Sequence, residues 1–212
     1  KITMQSLRMA SEQKLKDGDM MMSAIEGTNK TELLFFSDKC QVYKTKASTF
    51  KDTKASELGD FIPVKLGFDE YENVISMIST IDYSGHLIMV FENGKVAKVP
   101  LNAYETKTNR KKLANAYSDN SELVAMFKVD GDADFVLRSD AGKVLIFSTM
   151  LVLPKSSRST QGVQVMRLTK AQLESAALYE EGTIKKPETY ITKTIPAAGA
   201  LMKNDFRQLK FE

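Results

Sequence analysis

Three apolar runs in this chain each enter a tight turn and leave through a basic, strand-like segment. Leu33-Leu34-Phe35-Phe36 passes through Ser37-Asp38-Lys39-Cys40 to Gln41-Val42-Tyr43-Lys44. Leu87-Ile88-Met89-Val90-Phe91 passes through Glu92-Asn93-Gly94 to Lys95-Val96-Ala97-Lys98. Phe135-Val136-Leu137 passes through Ser139-Asp140-Ala141-Gly142 to Lys143-Val144-Leu145-Ile146. The turn positions Cys40, Gly94 and Gly142 are 54 and 48 residues apart. Self-similarity at that period constrains the fold to a propeller or a related array, because each copy is one supersecondary unit that needs its neighbours to complete a core. Asn-Gly and Asp-x-Gly turns supply the positive backbone angle of a tight hairpin, and alternation such as Val42, Lys44, Lys46 reads as a strand with one buried face.

The match extends in both directions. An apolar stretch precedes each hairpin: Met20-Met21-Met22, Val74–Ile78 and Leu123–Phe127. Phe50, Tyr104 and Val152 each lie eight residues past Val42, Val96 and Val144. Polar basic loops follow, and closing strands are expected at Phe61-Ile62-Pro63-Val64 and Val163-Gln164-Val165-Met166. Lys1–Arg8 lines up with Lys95–Asn102, so the fragment starts inside a unit, with outer strands for that unit expected from Thr189–Ile195. The expected architecture is one all-β domain over 1–212, with units near 1–22 (partial), 23–73, 74–122 and 123–168. Closing elements occupy 169–212. One helix is expected over 170–181, with Thr169 as its cap and Gly182 beyond its end.

The net charge of +3 conceals a pattern. Windows 39–54, 95–112 and 143–170 hold 16 Lys and Arg against 2 Asp and Glu, whereas the other 150 residues hold 14 against 25. Basic residues that recur at one place in a repeat make a positive rim, which attracts a polyanion. The candidate contacts are Lys44, Lys46 and Lys54 in the first full unit and Lys98, Lys107, Arg110, Lys111 and Lys112 in the second. Lys143, Lys155, Arg158 and Arg167 follow in the third, and Arg8 belongs to the partial unit. Lys and Arg neutralise phosphates without reading sequence. For any single lysine, solubility and protection of a strand edge are an equally good explanation.

Other chemistry is not indicated. The single cysteine excludes an internal disulfide and points to a reducing compartment. No apolar run approaches the roughly 20 residues of a membrane helix. His86 is the only histidine. Asp130, Asp132 and Asp134 lack the remaining ligands of a calcium loop, and no Gly-rich phosphate loop is present. No catalytic residue, metal or cofactor is expected in this domain.

At the level of whole repeats the chain resembles the C-terminal domain of the bacterial type IIA topoisomerase A subunits, those of DNA gyrase and topoisomerase IV. The resemblance rests on Glu32–Tyr43, Gly94-Lys95-Val96, Gly142-Lys143-Val144 and Ser157–Gly162, and it covers nearly all 212 residues. It implies a β-pinwheel, a propeller-like ring of about four units here, three complete and one composite, whose blades exchange strands. It further implies a cytoplasmic, nucleoid-associated domain that is itself non-catalytic. Its rim would bind and bend duplex DNA without sequence specificity and present it to the cleavage core of the same chain, in partnership with the ATPase B subunit. The Gln-Arg-Arg-Gly-Gly-Lys-Gly box of gyrase subunits is absent from these residues. Either it precedes Lys1, or the parent is a divergent or topoisomerase IV-like enzyme. The competing function is a propeller platform whose basic rim meets an acidic protein. A propeller hydrolase would need converging acids, bases or ligands, and none is found.

Overall fold

The computed structural model describes residues 2–4, 15, 17–18, 20–21, 24–106 and 110–202. Its framework is three four-stranded antiparallel sheets, each built on one of the repeated hairpins. The first hairpin is β1 (Glu32–Ser37) and β2 (Val42–Lys46). The second is β4 (His86–Phe91) and β5 (Lys95–Pro100), and the third is β8 (Asp134–Ser139) and β9 (Lys143–Ser148). The apolar runs become β1, β4 and β8 because these strands have a neighbour on each side and are buried on both faces.

Outer strands repeat as faithfully. β3 (Val74–Thr80) pairs with β1, β7 (Leu123–Val129) with β4, and β11 (Leu173–Leu178) with β8. Each ladder carries an irregularity near the hairpin turn, at Phe36/Ser37, Val90/Phe91 and Leu173/Ser175. There the amides of Asp38, Glu92 and Asp140 donate to the carbonyls of Asn73, Glu122 and Gln172. A strand that precedes one hairpin in the chain therefore serves the sheet of the hairpin before it.

The fourth strand of each sheet comes from farther downstream. β6 (Lys112–Leu113) returns to β2 after the second hairpin has been made. β10 (Val163–Gln164) returns to β5 after the third, and β12 (Ala200–Leu201) closes on β9. No sheet is therefore a contiguous stretch of chain. The chain divides into two compact units, one of residues 1–82 and 106–114 and the other of 83–105 and 115–212. The first packs Leu33, Phe35, Tyr43, Phe50 and Ile62 together. In the second, Ile88, Val90 and Val96 join Phe135, Leu137, Leu145 and Phe147 in one core.

Three expectations are corrected. Residues 170–181 are not a helix: β11 pairs Ala176 with Leu137 and Ala177 with Val136, and Lys170 has a φ of 52°, which a helical first turn cannot accept. The helix lies instead at Ile62–Leu66 (α1), overlapping the Phe61–Val64 segment expected as a strand. Pro63 suits a first helical turn and cannot donate to a ladder, and Gly67, at φ 67°, ends the helix in the left-handed region. The two chain ends do not share a fourth unit among the described residues. Ile2 and Met4 bridge to Asp60 and Asp52, while Ile191 bridges to Ile146 of β9.

The three hairpin turns share one geometry. The amides of Cys40, Gly94 and Gly142 donate to Ser37, Phe91 and Ser139, and all three residues have positive φ, at 53°, 78° and 71°. Cys40 thus holds a left-handed conformation that costs a non-glycine residue on the order of 1 kcal/mol. Cys40→Gly is expected to raise unfolding free energy by about 0.5–1 kcal/mol in urea titrations. Gly94→Ala is expected to lower it by more, since a Cβ there would lie 2.4 Å from the Met166 carbonyl oxygen.

Candidate nucleic-acid interface

The returning segments that complete the sheets also carry cations. In the first unit, β6 lies along the free edge of β2, with Leu113 opposite Val42, Lys112 opposite Tyr43, and the Lys44 amide donating to the Lys111 carbonyl at 2.7 Å. Arg110 and Lys111 are exposed on this edge, and Lys46, at the end of β2, is exposed with them. Lys54 is exposed in the loop beyond.

Lys112 has a holding role. Its ammonium lies 2.8 Å from an Asp69 carboxylate oxygen and 5.1 Å above the Tyr43 ring. The hydrogen bond to Asp69, then that to Tyr43, keeps it protonated well beyond the ordinary lysine range. Tyr43 stacks on Phe68 at 3.9 Å and donates its hydroxyl to Glu72 at 2.6 Å. Glu72, buried, also accepts from the Ser37 hydroxyl and from the Asp69 amide. Burial opposes its ionisation, but the bonds from Ser37, Tyr43 and Asp69 outweigh that penalty and hold its carboxyl below the usual value. This network ties the 68–72 loop and β6 to the first hairpin.

In the second unit the segment 154–164 runs along β5. The Lys155 amide donates to the Lys98 carbonyl at 2.8 Å, and Lys155 itself is exposed. Arg158 is half-buried. It donates to the Ala103 carbonyl at 2.9 Å, and its guanidinium lies 5.9 Å from the centre of the Tyr104 ring. Arg167 is exposed and its amide donates to the Ala197 carbonyl; Lys143 is half-buried opposite Leu201. Arg8 and Lys107 lie outside the described residues.

Lys44 and Lys98 leave the candidate interface. Both are buried, at 9% and 8% exposure. Lys44 donates to the Thr106 hydroxyl at 3.1 Å, with Glu32 at 3.9 Å. Lys98 reaches Asp132 at 2.7 Å and the Thr149 carbonyl at 3.3 Å. They hold the same place in their hairpins, opposite Leu34 and Ile88, where the third hairpin has Ile146 opposite Val136. An apolar third copy marks the position as inward-facing. Alternation misled here because β5 buries four consecutive residues, Val96 to Val99.

The structure adds cations that the sequence windows passed over. The third sheet's edge is covered by the stretch from Tyr190 to Leu201, with the Ile146 amide donating to Tyr190 and the Thr192 amide donating to Ile146. Exposed Lys193 lies on this stretch, and exposed Lys185 and Lys186 precede it. Extending the repeat by one further copy, rather than reading 169–212 as a helix and the edge of another unit, would have found them. Among the described residues no group of His, Cys, Asp or Glu has metal-binding geometry, and no helix is long and apolar enough to cross a membrane.

The recurrence has a counterpart in known proteins. The family model described as DNA gyrase C-terminal domain, beta-propeller, matches residues 31–59, 86–130 and 134–173, more than half of the chain. The chain belongs to this family. The DNA gyrase A protein of Mycobacterium bovis is 28% identical over 173 residues, 80% of this chain and 21% of that protein. Its counterpart in Mycoplasma pneumoniae is 27% identical over 147 residues, 67% of this chain and 17% of that protein. The chain thus spans about a fifth of the relatives it matches. The solved C-terminal domain of DNA topoisomerase IV aligns with a TM-score of 0.76 and 22% identity, over 94% of this chain and 68% of that one. The E. coli ParC C-terminal domain aligns at 0.69 and 14%, over 94% and 88%. At these identities the two structures speak for the shared fold. The three matched blocks each contain one of the repeated hairpins.

Two outcomes follow for the buried polar groups. Lys98→Ala should cost about 1–3 kcal/mol in chemical denaturation, because the buried aliphatic stem is lost together with the ammonium's bonds to Asp132 and the Thr149 carbonyl. Lys98→Met, which restores an apolar chain where the third hairpin has Ile146 but not the bonds of the ammonium, should recover the packing part of that loss and cost less than Lys98→Ala. For Glu72, a folded-state pKa below the unfolded value means that its contribution is complete above the ordinary 4.5 and is lost as pH falls through the lower folded value. Stability measured from pH 6 down to about pH 3 should therefore fall, and Glu72→Gln should flatten that decline.

Proposed function

We propose that this chain is a non-catalytic domain that binds duplex DNA through its backbone and bends it, as part of a type IIA topoisomerase. The carrying observation is that exposed cations recur on the segments completing the sheets, Arg110 and Lys111 on the first, Lys155 on the second and Lys193 on the third, with exposed Lys46 and Lys54 on and just beyond β2. Half-buried Arg158 lies on the second of these segments, and Arg167 and half-buried Lys143 adjoin them. Membership in the gyrase C-terminal domain family supports the reading. Phosphate contacts of this kind carry no sequence information and draw their free energy from counterion release. Bending a site of 20–30 base pairs costs on the order of 1–6 kcal/mol, which additional phosphate contacts offset. In the parent enzyme the bent segment would be delivered to the cleavage core of the same chain, in partnership with the ATPase B subunit, in the cytoplasm and on the nucleoid.

The test uses affinity for unrelated duplexes as a function of salt. Combined reversal at Lys46, Arg110 and Lys155 should weaken binding uniformly across sequences. It should flatten the slope of log affinity against log salt by about 2–3, near 0.9 for each lost phosphate contact. These positions are chosen because Lys112 and Arg158 also hold the fold. Unchanged DNA affinity and slope, with binding of an acidic protein lost on the same reversal, would assign the cations to a protein-binding platform.

A further inference from the structure

The turn after each hairpin's second strand is a single 3-10 turn: Ala47–Thr49, Leu101–Tyr104 and Thr149–Leu151. In the first two copies its exposed positions are polar, with Ser48 and Lys51 in one and Asn102 and Glu105 in the other. In the third copy the same positions are Met150 and Leu153, 70% and 72% exposed. Exposed Pro154 follows directly, and then exposed Lys155, Ser156 and Ser157. Leu153 and Lys155 line one groove with Leu151, Val163, Ile195 and Pro196. An apolar tip is thus continuous with the loop carrying the second unit's cations, and no carboxylate lines that groove.

A single exposed apolar side chain is ordinary on a protein surface. Two together, next to phosphate-binding chemistry and at a position that is polar in both sister copies, have a specific use. Proteins that kink duplex DNA insert Met, Leu, Ile or Pro between base pairs in the minor groove while flanking cations hold the phosphates. We infer that Met150 and Leu153 form a wedge that partly unstacks one base step of the bound duplex, placing a local kink at the turn that follows the third hairpin. The inference rests on the DNA-binding reading above. The wedge would favour pyrimidine–purine steps, which unstack most readily. It therefore gives an otherwise sequence-indifferent surface a preference for flexible DNA.

The test uses the 212-residue chain and a duplex with one TpA step carrying 2-aminopurine. Binding is followed by anisotropy and unstacking by 2-aminopurine fluorescence. The parent chain should bind and raise the fluorescence severalfold at the TpA step, and much less when the probe lies in a stiff A-tract. Met150→Ser with Leu153→Ser should still bind, with the same salt slope, but abolish the fluorescence rise, while Met150→Leu should retain it. Binding with equal fluorescence in parent and double variant would overturn the wedge and leave the DNA reading standing. Absence of any duplex binding by the parent would overturn both. Self-association of the parent that the double variant loses, with fluorescence unchanged, would assign the strip to a second copy of the chain and likewise overturn the wedge.

Discussion

Each hairpin in this protein has a second strand whose outer edge must be covered. β2, β5 and β9 carry Val42, Val96 and Val144, all fully buried, on strands that would otherwise present open backbone groups. An open edge invites pairing with another chain. Here a short piece of downstream chain closes each one: β6, β10 and β12, of two residues apiece. Everything else in the architecture follows from this exchange. It interleaves the sheets along the sequence and requires the chain to run back over the finished hairpin. The returning segment stays at the surface, because only its paired face is buried. A surface segment fixed in register by a ladder is a rigid place to mount charge, and Arg110, Lys111, Lys155 and Lys193 stand on these segments.

The lysines divide into two populations by the same logic. Lys44 and Lys98 point inward and are satisfied by Thr106 and by Asp132 with Thr149. Lys112 lies between the two groups, partly exposed yet bonded to Asp69 and placed over Tyr43. Lys46, Arg110, Lys111 and Lys155 are exposed, and none makes an ion pair among the described residues. Cations without such partners keep their counterions until a polyanion displaces them, so on the proposed DNA-binding reading they would be the source of its salt-dependent affinity. Acidic side chains serve the opposite ends of the strands. Asp38 and Asp140 accept from the amides of Asn73 and Gln172 and thereby pin the irregularities next to the hairpin turns.

The hairpins were legible in the sequence because their signals are local: an apolar run, a turn with a left-handed position, and a second alternating strand. Cys40 follows that rule in geometry although not in residue type. Pairing partners were not legible, because β6, β10 and β12 are too short to carry a pattern. Leu173–Leu178 shows the limit of propensity. Leu-Glu-Ser-Ala-Ala-Leu favours a helix by itself, yet β8 offers an unpaired edge, and the ladder prevails. The charged windows found most of the exposed cations but credited Arg110, Lys111 and Lys112 to the second hairpin, whereas β6 places them on the first. The missed lysines at 185, 186 and 193 have the same origin, since their segment acquires meaning only once β9 needs a cover.

Hydrogen exchange of the 212-residue chain, with and without a duplex of arbitrary sequence and followed by peptide mass, tests the central claim most directly. If the returning segments are the DNA surface, duplex should slow exchange in peptides spanning 106–114, 154–162 and 185–195. The hairpin turns at 38–41, 92–94 and 140–142 should be unchanged, and the protection should fade as salt is raised. Protection at those turns, or at none of the returning segments despite saturating DNA, would contradict the account.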